Sequence, residues 1–243
     1  MKHLIVLGLL LILLSAVSYL AHYAIFGDAH HIFIYLVGDI AFVPIEVLLV
    51  TLIIHRLLES REKRSILKKL NMVIGTFFSE VGTELLGYFA DFDPQSSEIR
   101  ERLVVTNNWS EREFSTVGRS LKACDCVIDN ENDDLESLRG FLMEKRGFLL
   151  ALLGNPNLLE HESFTDLLWA VFHLAEELGH RADVRKLPDT DYEHLAGDIK
   201  RVYRPLISEW LDYMKHLKSD YPYLFSLAMR TNPFDRNASP EVR

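Results

Sequence analysis

Cysteine is nearly absent from this chain: there are two, Cys124 and Cys126, spaced C-x-C in a stretch of helical character. That excludes a disulfide framework and fits a reducing compartment, where the pair reads as small core fillers. Phosphate-cradling loops are missing too, because the twelve glycines never fall into G-x-G-x-x-G or a Walker pattern. No G-x-S-x-G elbow is present, and no complete catalytic constellation emerges. Basic residues are in deficit, 26 Lys and Arg against 35 Asp and Glu, for a net charge of −9. A dedicated nucleic-acid binder usually carries a basic face, so nucleic acid is not an expected partner. The acidic stretch Asp129, Glu131, Asp133, Asp134 lacks a calcium loop's turn glycine, and Gly140 stands where the closing Glu belongs. It reads as a solvated, helix-capping loop. No convincing run alternates apolar with polar residues, which argues against a sheet.

Long apolar runs, by contrast, are present. From Leu4 to Phe26 there is no Lys, Arg, Asp or Glu. That length suffices to cross a hydrocarbon layer of roughly 30 Å as a helix. A cleaved signal peptide is the rival reading. It is disfavoured because cleavage after Ala21 would put bulky Tyr19 where a small residue is wanted, and a second apolar run follows at once. That second run extends from about Ile32 to Ile54, separated from the first by Gly27 to His31. Arg56, Arg61, Lys63, Arg64, Lys68 and Lys69 follow immediately. The positive-inside rule places this cluster, and both termini, in the cytoplasm. The sequon Asn108-Trp109-Ser110 is then on the wrong side for glycosylation and reads as a helix start.

The second run carries Asp39, Pro44 and Glu46. Both acids would lie about 4–6 Å from the midplane at a rise of 1.5 Å per residue, on one helix face. Each costs roughly 2.5–3.5 kcal/mol on insertion, while each Leu, Ile, Val or Phe returns about 0.3–0.6. The sum is barely favourable, so this helix should not face lipid alone. A hairpin folded near Ala29 sets Asp39 beside Tyr19 and Ser18, with His22 one turn away. Glu46 falls opposite Ile12, which offers no partner, and a second subunit is the expected source of one. Pro44 frees the carbonyl of Ile40 and predicts a kink. The two acids suit either cation or proton passage or hydrogen-bonded packing between helices.

Beyond the membrane segments the pattern is helical throughout. Leu67, Leu70, Ile74, Phe77, Val81, Leu85 and Tyr88 repeat at three- and four-residue spacing, predicting one long stalk helix over residues 56–90. Capping signatures at Ser110/Glu113, Asp133/Glu136, Ser163/Asp166 and Thr190/Glu193 open successive helices, the last interrupted at Pro205. The fold class is therefore all-α: a transmembrane hairpin over 1–55, the stalk, a cytoplasmic helical bundle over 91–231, and a polar tail over 232–243.

One helix face stands out chemically. His173, Glu177 and His180 follow at four- and three-residue steps, and Glu177-x-x-His180 is the spacing of di-iron carboxylate bundles. Such a site wants further acids. Asp191-x-x-His194 is the nearest echo, and Glu80, Glu84 or the run Glu160-His161-Glu162 could contribute. The competing reading is a wet helix face whose final His complements the helix dipole.

The segments YLVGDIAFVPIEVLLVTLIIHRLL, NPNLLEHESFTDLLWAVFHLAEEL and YPYLFSLAMRTNPF give the chain a wider affinity. It resembles an uncharacterised family of prokaryotic membrane proteins with two transmembrane helices and a cytoplasmic α-helical domain. The resemblance implies a prokaryotic cell membrane and carries no activity. The expectation is a membrane-anchored, oligomeric helical module for protein interaction or signal relay, without a cofactor. Its partners would be the lipid bilayer, further copies of itself and a protein bound by the cytoplasmic domain. The alternatives are a cation- or proton-conducting assembly built on Asp39 and Glu46, and a metal-dependent helical enzyme using His173, Glu177 and His180.

Overall fold

The computed structural model of the protein describes residues 2–93, 96–122 and 132–242. Among them every regular element is helical, and the chain divides into two units, Met1–Arg64 and Ser65–Arg243. Cys124, Cys126, Asp129 and Glu131 lie outside the described residues, as does Pro94.

The first unit holds α1 (Lys2–Phe26) and most of α2 (Ala29–Phe77). Their connection is as short as two helix ends allow. Gly27, at φ +64°, takes the left-handed conformation that closes α1, its N–H donating to the Tyr23 carbonyl at 2.9 Å. Asp28 then caps α2, its Oδ1 accepting from the N–H groups of His30 (2.9 Å) and His31 (3.1 Å). Those bonds, the one from His31 foremost, hold the Asp28 carboxyl below the usual carboxylate range. Ile5–Phe26 and Ala29–Glu62 are both long and apolar enough to cross a membrane, and their apolar side chains are exposed along the whole length. Pro44 sits inside α2 without ending it.

The second unit begins with the remainder of α2. The expected stalk does not stay a plain spacer here: Leu70, Ile74 and Phe77 are buried in the core of the helical unit. Nor does the stalk helix run unbroken over residues 56–90. A π-helical turn, Phe78–Gly82, separates α2 from α3 (Thr83–Phe92), with the Thr83 N–H reaching back to the Phe78 carbonyl. The physical reason is the pair of consecutive phenylalanines, which a regular helix would point about 100° apart. With the wider turn both are buried: Phe77 meets Phe164 edge-on at 5.3 Å, and Phe78 stacks on Tyr213 at 5.0 Å.

Three long helices complete the centre: α6 (Asn132–Leu153), α7 (Glu162–His180) and α8 (Asp189–Asp220), with α7 packed between the other two. Short helices α4 (Ser96–Leu103), α5 (Glu111–Lys122) and α9 (Pro222–Arg230) close the periphery, α5 and α9 against α8. A full capping box opens α5: the Ser110 N–H donates to Glu113 Oε2 at 2.5 Å, and the Glu113 N–H to Ser110 Oγ at 3.3 Å. At α7 the cap is His161, not Ser163; its Nδ1 accepts from the Phe164 N–H. Pro205 does not interrupt α8. The hydrogen bond it forfeits is outweighed by the burial of Val202, Leu206, Ile207, Trp210 and Met214 around it. The segment expected as a polar tail starts inside the fold. Asn232 and Phe234 are buried, Asn232 Nδ2 donating to the Leu103 carbonyl at 2.8 Å and Phe234 meeting Trp210 at 5.2 Å.

Candidate functional site

Helix periodicity puts residues four apart on one face. On α7 that face carries His173 and Glu177, followed at the C-cap by Arg181. On α8 the facing stripe carries Asp191, His194, Asp198 and Arg201. The close packing of α7 on α8 brings the two stripes together, so that His-x-x-x-Glu on one helix faces His-x-x-x-Asp on the other.

The distances are specific. His173 Nε2 stands 3.8 Å from Glu177 Oε1 and 3.5 Å from Asp198 Oδ2. His194 Nε2 stands 3.7 Å from Glu177 Oε2 and 3.4 Å from the same Asp198 Oδ2. Ligand atoms of His173, Glu177 and Asp198 all lie within 4.8 Å of one another. Asp198 is the buried member, its side chain 2% exposed, while the two imidazoles are about half exposed at 47% and 51%. The Asp198 Oδ2 is shielded from solvent and has no hydrogen-bond partner.

Two arginines hold the other oxygens. Arg201 Nη1 donates to Asp198 Oδ1 at 2.5 Å. Arg181 Nη1 donates to Glu177 Oε2 at 2.8 Å and to the Glu177 carbonyl at 2.5 Å. Its remaining donors form a fork on Asp191, Nε to Oδ2 at 2.8 Å and Nη2 to Oδ1 at 2.6 Å. The Arg181 guanidinium holds both the Glu177 and Asp191 carboxyls below their usual range, and Asp191 in turn raises the pKa of Arg181. Both acids are therefore ionised at neutral pH.

Of the residues singled out from sequence, His173 and Glu177 converge here and His180 does not. Its Nδ1 lies 2.7 Å from the Glu176 carbonyl, one helical turn back, and it borders a separate hollow with Met143, Arg146 and Gly179. Arg146 pairs there with Glu176 at 2.6 Å, which lowers the Glu176 pKa. Glu80 is engaged by Lys145 at 3.2 Å, and Glu84 is exposed on α3. His161 is occupied as a helix cap at the opposite end of α7. The residue that spacing alone did not bring forward is Asp198. Its signal is His194-x-x-x-Asp198, which repeats the step from His173 to Glu177; the competing pattern Asp191-x-x-His194 does not enter the site, because Asp191 is spent on Arg181.

In the first unit a cavity of about 490 Å³ opens between α1 and α2. Ser15, Ser18, Tyr19, His22, His31 and Asp39 border it. The His22 and His31 rings stack 6.4 Å apart, and Ser18 Oγ donates to the Leu14 carbonyl at 2.9 Å. Glu46 and Pro44 are exposed further along α2 and do not border this cavity.

Comparison with known proteins gives a consistent result over nearly the whole length. Residues 1–58 match the family described as "MJ1433, N-terminal helical domain". Residues 66–230 match that described as "Uncharacterized protein MJ1433, C-terminal helical domain". The protein of that name from Methanocaldococcus jannaschii is 48% identical over 237 residues, covering 98% of this chain and 95% of its own length. No solved structure matches the chain.

Proposed function

We propose, for a chain that belongs to the MJ1433 family of helical proteins, that it is a membrane-anchored module displaying a cytoplasmic helical domain for protein interaction or signal relay. The observation that carries this is the contrast between the two units. Ile5–Phe26 and Ala29–Glu62 expose apolar side chains on every face, whereas the second unit buries a full core of its own. Exposed apolar surface on that scale needs a covering, and a bilayer supplies one for two helices of spanning length. The basic cluster after the second span orients both termini towards the cytoplasm. Glu46 then favours a homo-oligomer, because a second hairpin would give its carboxyl a partner inside the bilayer.

The test is extraction and topology together. The protein should stay in the membrane pellet after alkaline carbonate washing, and a C-terminal green fluorescent protein fusion should fluoresce. Release into the wash, or a dark fusion that is instead active as an exported phosphatase fusion, would overturn the reading. Strict monomers in several mild detergents and in nanodiscs would remove the oligomer.

A second reading, passage of a proton or cation, is favoured by the cavity that gathers Asp39, Tyr19, His22 and His31. It predicts flux in proteoliposomes that falls in Asp39→Asn. Unchanged flux in that variant and in Glu46→Gln would dismiss it.

A further inference from the structure

We infer that His173, Glu177, Asp198 and His194 form a binding site for one divalent first-row transition-metal ion, of the zinc or ferrous class, which ties α7 to α8. The inference goes beyond the membrane-anchored reading and does not depend on it.

The spacing of the donor atoms carries it. Two ligand atoms each roughly 2.1 Å from a tetrahedral metal stand about 3.4 Å apart. Three imidazole-to-carboxylate separations involve the oxygens that an ion would take: 3.4 and 3.5 Å from His194 and His173 Nε2 to Asp198 Oδ2, and 3.8 Å from His173 Nε2 to Glu177 Oε1. These are longer than a good N–H···O hydrogen bond, about 2.7–3.2 Å, and close to the edges of such a coordination polyhedron. These donor atoms stand apart by about the width that a cation would fill.

Asp198 supplies an independent observation. Its Oδ2, buried and without a hydrogen-bond partner, lies 3.5 and 3.4 Å from the Nε2 atoms of His173 and His194. A buried carboxylate oxygen left bare is costly, and a metal ion is the ligand that satisfies it together with two imidazoles. The arginines fit the arrangement as outer supports. Arg201 holds Asp198 by Oδ1 and Arg181 holds Glu177 by Oε2, which leaves Oδ2 and Oε1 for the ion. Their positive charge opposes a cation, but with Asp191 included the acids still outnumber them by three to two. Two imidazoles among four ligands select zinc, iron, cobalt or nickel over magnesium and calcium, which prefer all-oxygen shells. The half-exposed histidines leave a path for entry.

The experiment uses the full-length protein in detergent, stripped with chelator and dialysed against Zn²⁺, with Co²⁺ as a spectroscopic probe. Expected are one tightly held Zn²⁺ per chain and visible Co²⁺ absorption of a four- or five-coordinate site. His173→Ala and His194→Ala should each weaken binding at least tenfold, and Asp198→Asn should do the same. His180→Ala should bind as the wild type does. Independently of any variant, Zn²⁺ should protect His173 and His194, but not His180, from diethyl pyrocarbonate, as read by mass spectrometry. Absence of stoichiometric Zn²⁺, equal binding in the His173 and His194 variants, or protection of other histidines instead would each overturn the assignment.

Discussion

Arg181 and Asp191 are joined by two parallel hydrogen bonds across the turn between α7 and α8, 2.8 Å from Nε to Oδ2 and 2.6 Å from Nη2 to Oδ1. The same guanidinium reaches back to Glu177, so one side chain links the two stripes. Lysine cannot reproduce a planar fork. Arg181→Lys should therefore cost about 1.5–3 kcal/mol, the range for hydrogen bonds to charged groups. The pH dependence has a definite sign. Glu177 and Asp191 have folded pKa values below their unfolded ones, so their contribution is complete above about pH 4 and is lost as pH falls through the depressed values. Wild type and variant should differ in denaturant midpoint at pH 7 and converge well below pH 4; a gap unchanged by acid would show that the ion pairs are not its source.

Gly82 sits where no side chain fits. A Cβ there would lie 2.5 Å from Cδ1 of Phe78 and 2.9 Å from Cε1 of Phe77, both rings being fully buried. Gly82→Ala is normally a helix-stabilising exchange, yet here it should destabilise by about 1–3 kcal/mol through overpacking. Thermal melting of the variant, compared with Gly87→Ala, where the space is open, checks this. Equal melting temperatures for the two would mean that the π-turn relaxes without cost.

Glu209 is buried on α8 and accepts a hydrogen bond from Ser163 Oγ at 2.7 Å. Burial pushes its carboxyl up, the Ser163 bond and His161 only partly offsetting that, while Asp212 adds to it. The ionised form is thus penalised in the fold, the penalty being full above the raised folded pKa and absent below the unfolded value of about 4.3. Glu209→Gln keeps an acceptor for Ser163 and removes the charge. It should raise the melting temperature at pH 7, by about 2–4 °C for each kcal/mol gained. The advantage should shrink towards pH 4, and a gain that grows in acid would contradict the assignment.

Asp198→Asn should behave oppositely with and without metal. In chelator the variant loses a charge-assisted bond to Arg201, whose side chain is 61% exposed and so worth little, and relieves a bare buried oxygen. Its melting temperature should equal or exceed that of the wild type. With excess Zn²⁺ the wild type should gain stability in proportion to RT ln(1 + [L]/Kd), and the variant should not. Equal gains in both would place the stabilising metal elsewhere.

Much of this architecture was legible from local chemistry, because its signals are local. An uninterrupted apolar run specifies a helix of spanning length by itself. Ser110 with Glu113, and Gly27 followed by Asp28, determine helix ends through bonds made within a few residues. Three- and four-residue spacing likewise determined that His173 and Glu177 share a face. Which other residues meet that face was settled only by packing. The choice between His180 and Asp198 depends on the rotation of α7 against α8, a rotation set by the packing of the core residues beside the two stripes, such as Leu174, Leu178, Leu195 and Ile199. The π-turn at Phe78–Gly82 follows the same logic, since two adjacent phenylalanines become compatible with one core only when Phe164 and Tyr213 are there to receive them. Pro205 inside an unbroken helix and the buried Asn232 likewise depend on partners far away in sequence. The sequence by itself determined the helices and their apolar faces, because those follow from periodicity along one chain. The meeting of side chains from separate helices was decided by tertiary structure alone, because only close packing fixes the angle and register between them.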